Sequence, residues 1–112
     1  MASVDDLWLV GFGRPHPGKP AALRPALVTG PPGTFDPGFP FVIVTPLTTA
    51  RRGLSLHVEV EASAATGLDR TSYVQGELIR SVNRSRLVQR LGAVGPAISP
   101  RVATVVRTLL DR

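Results

Sequence analysis

The stretch ELIRSVNRSRLVQRLGAV, Glu77–Val94, decides how much of the second half of this chain is sheet. Leu78, Val82, Leu87 and Leu91 are spaced so that they could line one side of a helix. The residues just before point the other way: TSYVQGELI, Thr71–Ile79, reads as a strand and overlaps the start of the same stretch. Periodicity alone leaves both readings open.

Working upstream, LSLHVEVE, Leu54–Glu61, carries the cleanest period in the chain. Leu54, Leu56, Val58 and Val60 alternate with Ser55, His57, Glu59 and Glu61, which is the pattern of a half-buried strand. Before it lie three short apolar runs: DLWLV (Asp6–Val10), RPALVT (Arg24–Thr29) and FVIVTPL (Phe41–Leu47). Two loops dense in glycine and proline, GRPHPGKPAAL and GPPGTFDPGFP, separate these runs, as such residues do between strands. Downstream, Ser99 reads as a helix N-cap and Pro100 as a first helical residue. Val102, Val105, Val106, Leu109 and Leu110 then make one apolar stripe. Short strands followed by a terminal helix predict a single domain over residues 1–112, mainly β (α+β), built as a small, partly open β-barrel with helical additions.

Composition narrows the chemistry. The chain has 112 residues, 43% of them hydrophobic but only 5% aromatic, so its core must be mostly aliphatic. There is no cysteine, which removes disulfides, thiolate nucleophiles and cysteine-ligated zinc together. The N-terminus carries Asp5 and Asp6 where a signal peptide would be positive. No apolar run is long enough to span a bilayer. These features predict a cytoplasmic protein without a membrane partner.

Net charge is +5, and it is unevenly placed. Residues 1–50 are neutral, whereas residues 51–112 hold ten basic and five acidic side chains. Lys19 is the only lysine; the other cations are arginines, whose planar fork suits phosphate. A basic half is a footprint for nucleic acid or another polyanion, and equally the surface of an arginine-rich protein.

The catalytic inventory is sparse. His16 and His57 stand alone, with no HExxH spacing, and no GxxxxGK, GxGxxG or GxSxG motif occurs. One reaction fits such poverty: cleavage of RNA by its own 2′-hydroxyl. The substrate brings the nucleophile, so the protein need only position it, move protons and stabilise charge on the phosphorane. Arg24 is a candidate for that last task. Pro25 biases it to extended geometry and is tolerated at a strand's first residue, so the guanidinium would project from a strand end. A surface arginine at a loop exit is the competing reading. Thr45, Thr48 and Thr49 supply hydroxyls at the exit of FVIVTPLTT, just before Arg51 and Arg52.

Taken in order, LWLV, RPALV, VIVTPLTT, HVEV, ELIRSVNRSRL and RLGAV before a terminal helix resemble the MazF/PemK family of toxin endoribonucleases, from about Asp6 to the C-terminus. The resemblance implies a homodimer of SH3-like barrels that cleaves single-stranded RNA at short sequences, without metal or cofactor. It also implies neutralisation by a cognate antitoxin. On that pattern Arg24 and Thr48 are the catalytic pair, and Thr49, Arg51, Gln75, Glu77 and Arg80 contact the RNA. ELIRSV becomes a strand, NRSRL a helical turn and VQRLGAV another strand.

The chain departs from the family pattern at three places. The loop before Arg24 has no carboxylate, and His16 stands where polar residues are usual. An acid–amide pair is represented by Glu77-Leu78, so the amide is lost. The loop after the second strand is rich in proline. These departures keep a second reading open: a non-catalytic or gyrase-targeting binding protein on the same barrel. Among the remaining arginines, Arg84 and Arg90 read as a solvated edge. His57 reads as structural, and Trp8 as core or interface.

Overall fold

The computed structural model describes residues 2–13 and 22–111. His16 and Lys19 lie outside the described residues. Seven strands form one antiparallel sheet: β1 (Asp6–Gly11), β2 (Leu23–Gly30), β3 (Phe41–Thr48), β4 (His57–Val60), β5 (Ser72–Gln75), β6 (Arg80–Asn83) and β7 (Leu87–Ala93). Their order is β4-β5-β3-β2-β1-β7, and β6 pairs with β3 beside β5. Helix α1 (Ile98–Leu110) follows.

Alternation along the strands gives the sheet two faces. Leu7, Leu27, Leu47, Val58, Val60 and Val74 point to one side, where they pack with Val102 of α1. Val10, Ala26, Val28, Val42, Val44 and Val82 point to the other and make a second, smaller core beside Trp8, Phe12 and Leu87. The sheet curls without closing. Between β4 and β7 the gap is bridged by a loop, in which the Ala65 carbonyl accepts from the Ala93 amide. Gly67, at φ 70°, lies so close to β7 that a Cβ there would sit 2.0 Å from the Leu91 oxygen. This is the partly open barrel expected from the sequence.

Glu77–Val94 is not a helix. A 3-10 turn, Gly76–Leu78, leads to β6, a second 3-10 turn, Arg84–Arg86, breaks the strand path, and β7 completes it. The Asn83 side chain caps the second turn by accepting from the Ser85 amide at 2.9 Å. Val82, Leu87 and Leu91 lie on strands while Leu78 sits exposed in the first turn, so their helix-like spacing is an accident of two interruptions. The strand expected over ELIRSV is likewise shorter, because Glu77 and Leu78 fall in the first turn.

Two further expectations are corrected. The strand read over Leu54–Glu61 is confined to His57–Val60. Its partner β5 ends at Gln75, and Leu54 is left at the surface with 47% of its area exposed. Ser99 is not the N-cap either: α1 begins at Ile98 behind Ala97. The Ser99 hydroxyl instead donates to the Asp5 carboxylate, which ties the helix start to the N-terminal turn. The apolar stripe of α1 also outruns the core, since Leu110 is 67% exposed. Together with Thr29, Ile43, Ile79 and Val106 it lines an open apolar cleft of about 530 Å³. Among the described residues no helix is long and apolar enough to cross a membrane.

Candidate active site

Arg24 is the second residue of β2 and Thr48 ends β3, so antiparallel pairing puts both at one end of the sheet. Ala26 pairs with Pro46, and continuing that register brings Arg24 opposite Thr48. Thr48 in turn pairs with Tyr73, and Gln75 pairs with His57. Paired residues point to the same face of a sheet. Arg24, Thr48, Tyr73, Gln75 and His57 therefore share a face, the one that carries the smaller core at its other end.

The guanidinium is half-buried and held from two sides. Its Nη2 donates to the Leu47 carbonyl at 3.0 Å and to the Gln75 Oε1 at 2.5 Å. Gln75 is itself buried, 7% exposed, so the acceptor is fixed. Arg24 bonds to two neutral acceptors and forms no ion pair among the described residues, so its charge stays available to an anion. It is not the surface arginine of the competing reading. The Thr48 hydroxyl accepts from the Ala50 amide at 3.2 Å, which pins the turn leaving β3 and leaves the hydroxyl hydrogen to donate elsewhere. Thr49 and Arg51 follow on the exposed loop.

Glu77 does not reach Arg24. Its Oε2 meets His57 Nε2 at 2.9 Å, and the His57 side chain is only 3% exposed while that of Glu77 is 32% exposed. Burial by itself would raise the Glu77 carboxyl. The His57 hydrogen bond, its own backbone amide and the charge of Arg52 outweigh that and hold it below its ordinary value.

The basic run divides by geometry. Arg80 lies over the Phe12 ring, 5.3 Å from its centroid, and Arg86 Nη1 donates to the Gly13 carbonyl at 2.8 Å. Both line an open cleft of about 390 Å³ with Ser81 and Asn83. Arg80 pairs with Val44, whose side chain belongs to the smaller core, so it shares the face of Arg24. Arg84 is tied to the Phe39 carbonyl at 3.1 Å, and Arg90 to Asp6 at 3.2 Å. Burial pushes the Asp6 carboxyl up, but the Ser3 amide and Arg90 prevail and lower it. Phe12, and His57 as the partner of Glu77, carry no motif that marks them in the sequence. Only the pairing of β4 with β5 reveals His57. Among the described residues no three His, Cys, Asp or Glu side chains are grouped to hold a metal ion.

A seven-stranded, partly open antiparallel barrel with a C-terminal helix, carrying an arginine and a threonine opposite each other on one face, defines a small β-barrel protein. The chain belongs to the PemK-like, MazF-like toxins of type II toxin–antitoxin systems, whose family model matches residues 4–110. Solved structures of similar fold include the Mycobacterium tuberculosis toxin MazF-mt6, with 23% identity, TM-score 0.76, 95% of this chain and 96% of that chain covered. An endoribonuclease in complex with its cognate antitoxin from a mycobacterial species aligns at 22% identity and TM-score 0.77, over 98% and 95% of the two chains. The MazE–MazF complex of Deinococcus radiodurans aligns at 22% identity and TM-score 0.80, over 97% and 95%.

Proposed function

We propose that this toxin is a metal-independent endoribonuclease that cleaves single-stranded RNA through the substrate's own 2′-hydroxyl. The observation that carries the reading is Arg24: a half-buried guanidinium, fixed by Leu47 and Gln75 without a countercharge, opposite Thr48. Such a donor stabilises charge building on the phosphorane because it is oriented before the reaction begins. Thr48 donates a hydrogen bond to a phosphoryl oxygen. Thr49 and Arg51 on the loop, Gln75 bonded to Arg24, Glu77 bonded to His57, and Arg80 with Arg86 across the cleft line the RNA path, with Phe12 as a neighbouring ring. Membership of the family supports a cognate antitoxin and a homodimer as partners, and a cytoplasmic site of action goes with an RNA target.

The purified chain is expected to cut single-stranded RNA in EDTA, and Arg24→Ala or Thr48→Ala to lower the rate by about 100-fold or more. Cleavage that survives both substitutions would remove Arg24 and Thr48 from the site. RNA binding without cutting would favour the non-catalytic reading, and inhibition of DNA supercoiling the gyrase-targeting one.

A further inference from the structure

The open cleft of about 390 Å³ carries a chemistry that cleavage itself does not use. Phe12, Arg80, Ser81, Asn83 and Arg86 line it, and among the described residues no acid does. It adjoins Arg24 through β1. Val10 is the direct partner of Arg24, and the Phe12 amide donates to the Ala22 carbonyl at 2.9 Å, so the pairing runs on past Gly11. Phe12 therefore shares the face of Arg24 as a diagonal neighbour, about 7–8 Å away. An RNA held at Arg24 has its next nucleotide at this cleft.

The fixed hydrogen-bonding groups of the cleft are donors. The Asn83 Oδ1 is taken by the Ser85 amide at 2.9 Å, which sets the orientation of the side-chain amide and leaves its NH2 to the cleft. Arg86 is anchored by Nη1 on the Gly13 carbonyl at 2.8 Å and keeps Nη2 and Nε. Asn83 and Arg86 stand three residues apart across a 3-10 turn, the spacing at which side chains eclipse, so both donors come from one side. The Ser81 hydroxyl donates and accepts equally and favours no base. Arg80, 5.3 Å above the Phe12 ring, gives the cleft a flat floor.

We propose that this cleft is a guanine subsite, in which Arg86 and Asn83 donate to O6 and N7 of a guanine next to the cleaved bond while Arg80 holds a neighbouring phosphate. This inference rests on the ribonuclease reading and adds to it the base that is selected. Two fixed donors on one side select an edge with two adjacent acceptors, and among the bases guanine alone has one. Adenine sets an N6 donor beside N7, the cytosine N4 amine is a donor, and uracil offers a single acceptor on that edge. A donor that meets a donor leaves both unpaired, which costs more than a missing contact. A phosphate in the cleft would also accept, but it is tetrahedral and leaves the Phe12–Arg80 floor unused. A purine ring extends that stack.

The test is cleavage of a random-sequence RNA pool by the full chain in EDTA, with the cut sites mapped, for wild type, Asn83→Asp and Arg80→Ala. Wild type should cut about 10- to 100-fold faster where guanine holds one fixed position beside the bond than where adenine does. Exchanging that guanine for 7-deazaguanine, which lacks the N7 acceptor, should cost about tenfold, and this readout needs no variant to fold. Asn83→Asp keeps an acceptor for the Ser85 amide but replaces the donor by a second acceptor. Its preference should move from guanine towards adenine, which no loss of stability produces; thermal unfolding checks the fold. Arg80→Ala should slow all sequences alike. Wild-type cleavage with no guanine preference, or with one that either 7-deazaguanine or Asn83→Asp leaves unchanged, would overturn this inference and leave the ribonuclease reading intact. An Asn83→Asp chain that slows all sequences alike would do the same, since it marks a phosphate cleft. A wild-type chain that cuts no RNA overturns both.

Discussion

At the scale of single residues, Arg24 illustrates how a guanidinium is fixed without losing its charge. Its two acceptors are neutral, so they fix direction without cancelling charge. Gln75→Ala leaves only the Leu47 carbonyl and frees the fork to rotate. The expected result is a fall in kcat on the order of 100-fold, the usual cost of slight misplacement, with RNA affinity little changed. Single-turnover cleavage and a binding titration separate the two. Arg24→Lys should behave almost as Arg24→Ala, since both bonds come from the one nitrogen Nη2, and an ammonium in its place has no second nitrogen left to face a phosphoryl oxygen. The lowered carboxyls make a second prediction. Asp6 and Glu77 bind protons less readily folded than unfolded, so their contribution is full above the ordinary carboxylate range and is lost as pH falls below it. Urea midpoints should drop over that interval, and Asp6→Asn should remove part of the drop. A midpoint in Asp6→Asn with the same pH dependence as wild type contradicts the role given to that residue.

At the scale of elements, the sheet depends on a loop that no strand pattern marks. The segment between β4 and β5 closes the barrel's gap by lying against the β7 backbone, and Gly67 and Gly92 permit the contact. A Cβ on Gly92 would lie 2.2 Å from the Ala65 oxygen. Gly92→Ala should cost about 1–3 kcal/mol, the range for overpacking, read as a lower urea midpoint with an unchanged slope. Leu27, fully buried at the centre of the larger core, should cost about 2–5 kcal/mol as Leu27→Ala.

The same elements show what one sequence discloses. RPALVT, FVIVTPL and HVEV were legible because alternation and proline boundaries act locally. Glu77–Val94 was not legible from its own residues, because strand and helix spacings coincide when 3-10 turns interrupt a strand. The family resemblance resolved most of it. Arg24 and the threonines Thr45, Thr48 and Thr49 stood out only as candidates near strand ends, and the family resemblance paired Arg24 with Thr48. The Gln75 acceptor and the His57–Glu77 contact depend on cross-strand register, which a single chain does not write into its residues.

At the scale of the whole molecule, the excess charge of the second half acquires a direction. Arg84 and Arg90 are spent on a backbone carbonyl and a carboxylate, whereas Arg24 and Arg80 share a face, Arg86 lines the same cleft as Arg80, and none of the three has an acid bonded to it among the described residues. Binding to a short single-stranded RNA should therefore weaken linearly in log salt. Arg80→Ala should reduce the slope by about 0.7 while leaving sequence preference unchanged, and Arg90→Ala should not. The central claim, that the substrate supplies the nucleophile and the protein only positions and neutralises, is tested most directly on the substrate. An RNA carrying one 2′-deoxy substitution at the cleaved position, incubated with the chain in EDTA, should remain whole at that site. Its all-ribo counterpart should yield a 2′,3′-cyclic phosphate. Cutting of the 2′-deoxy strand at the same bond would contradict the account.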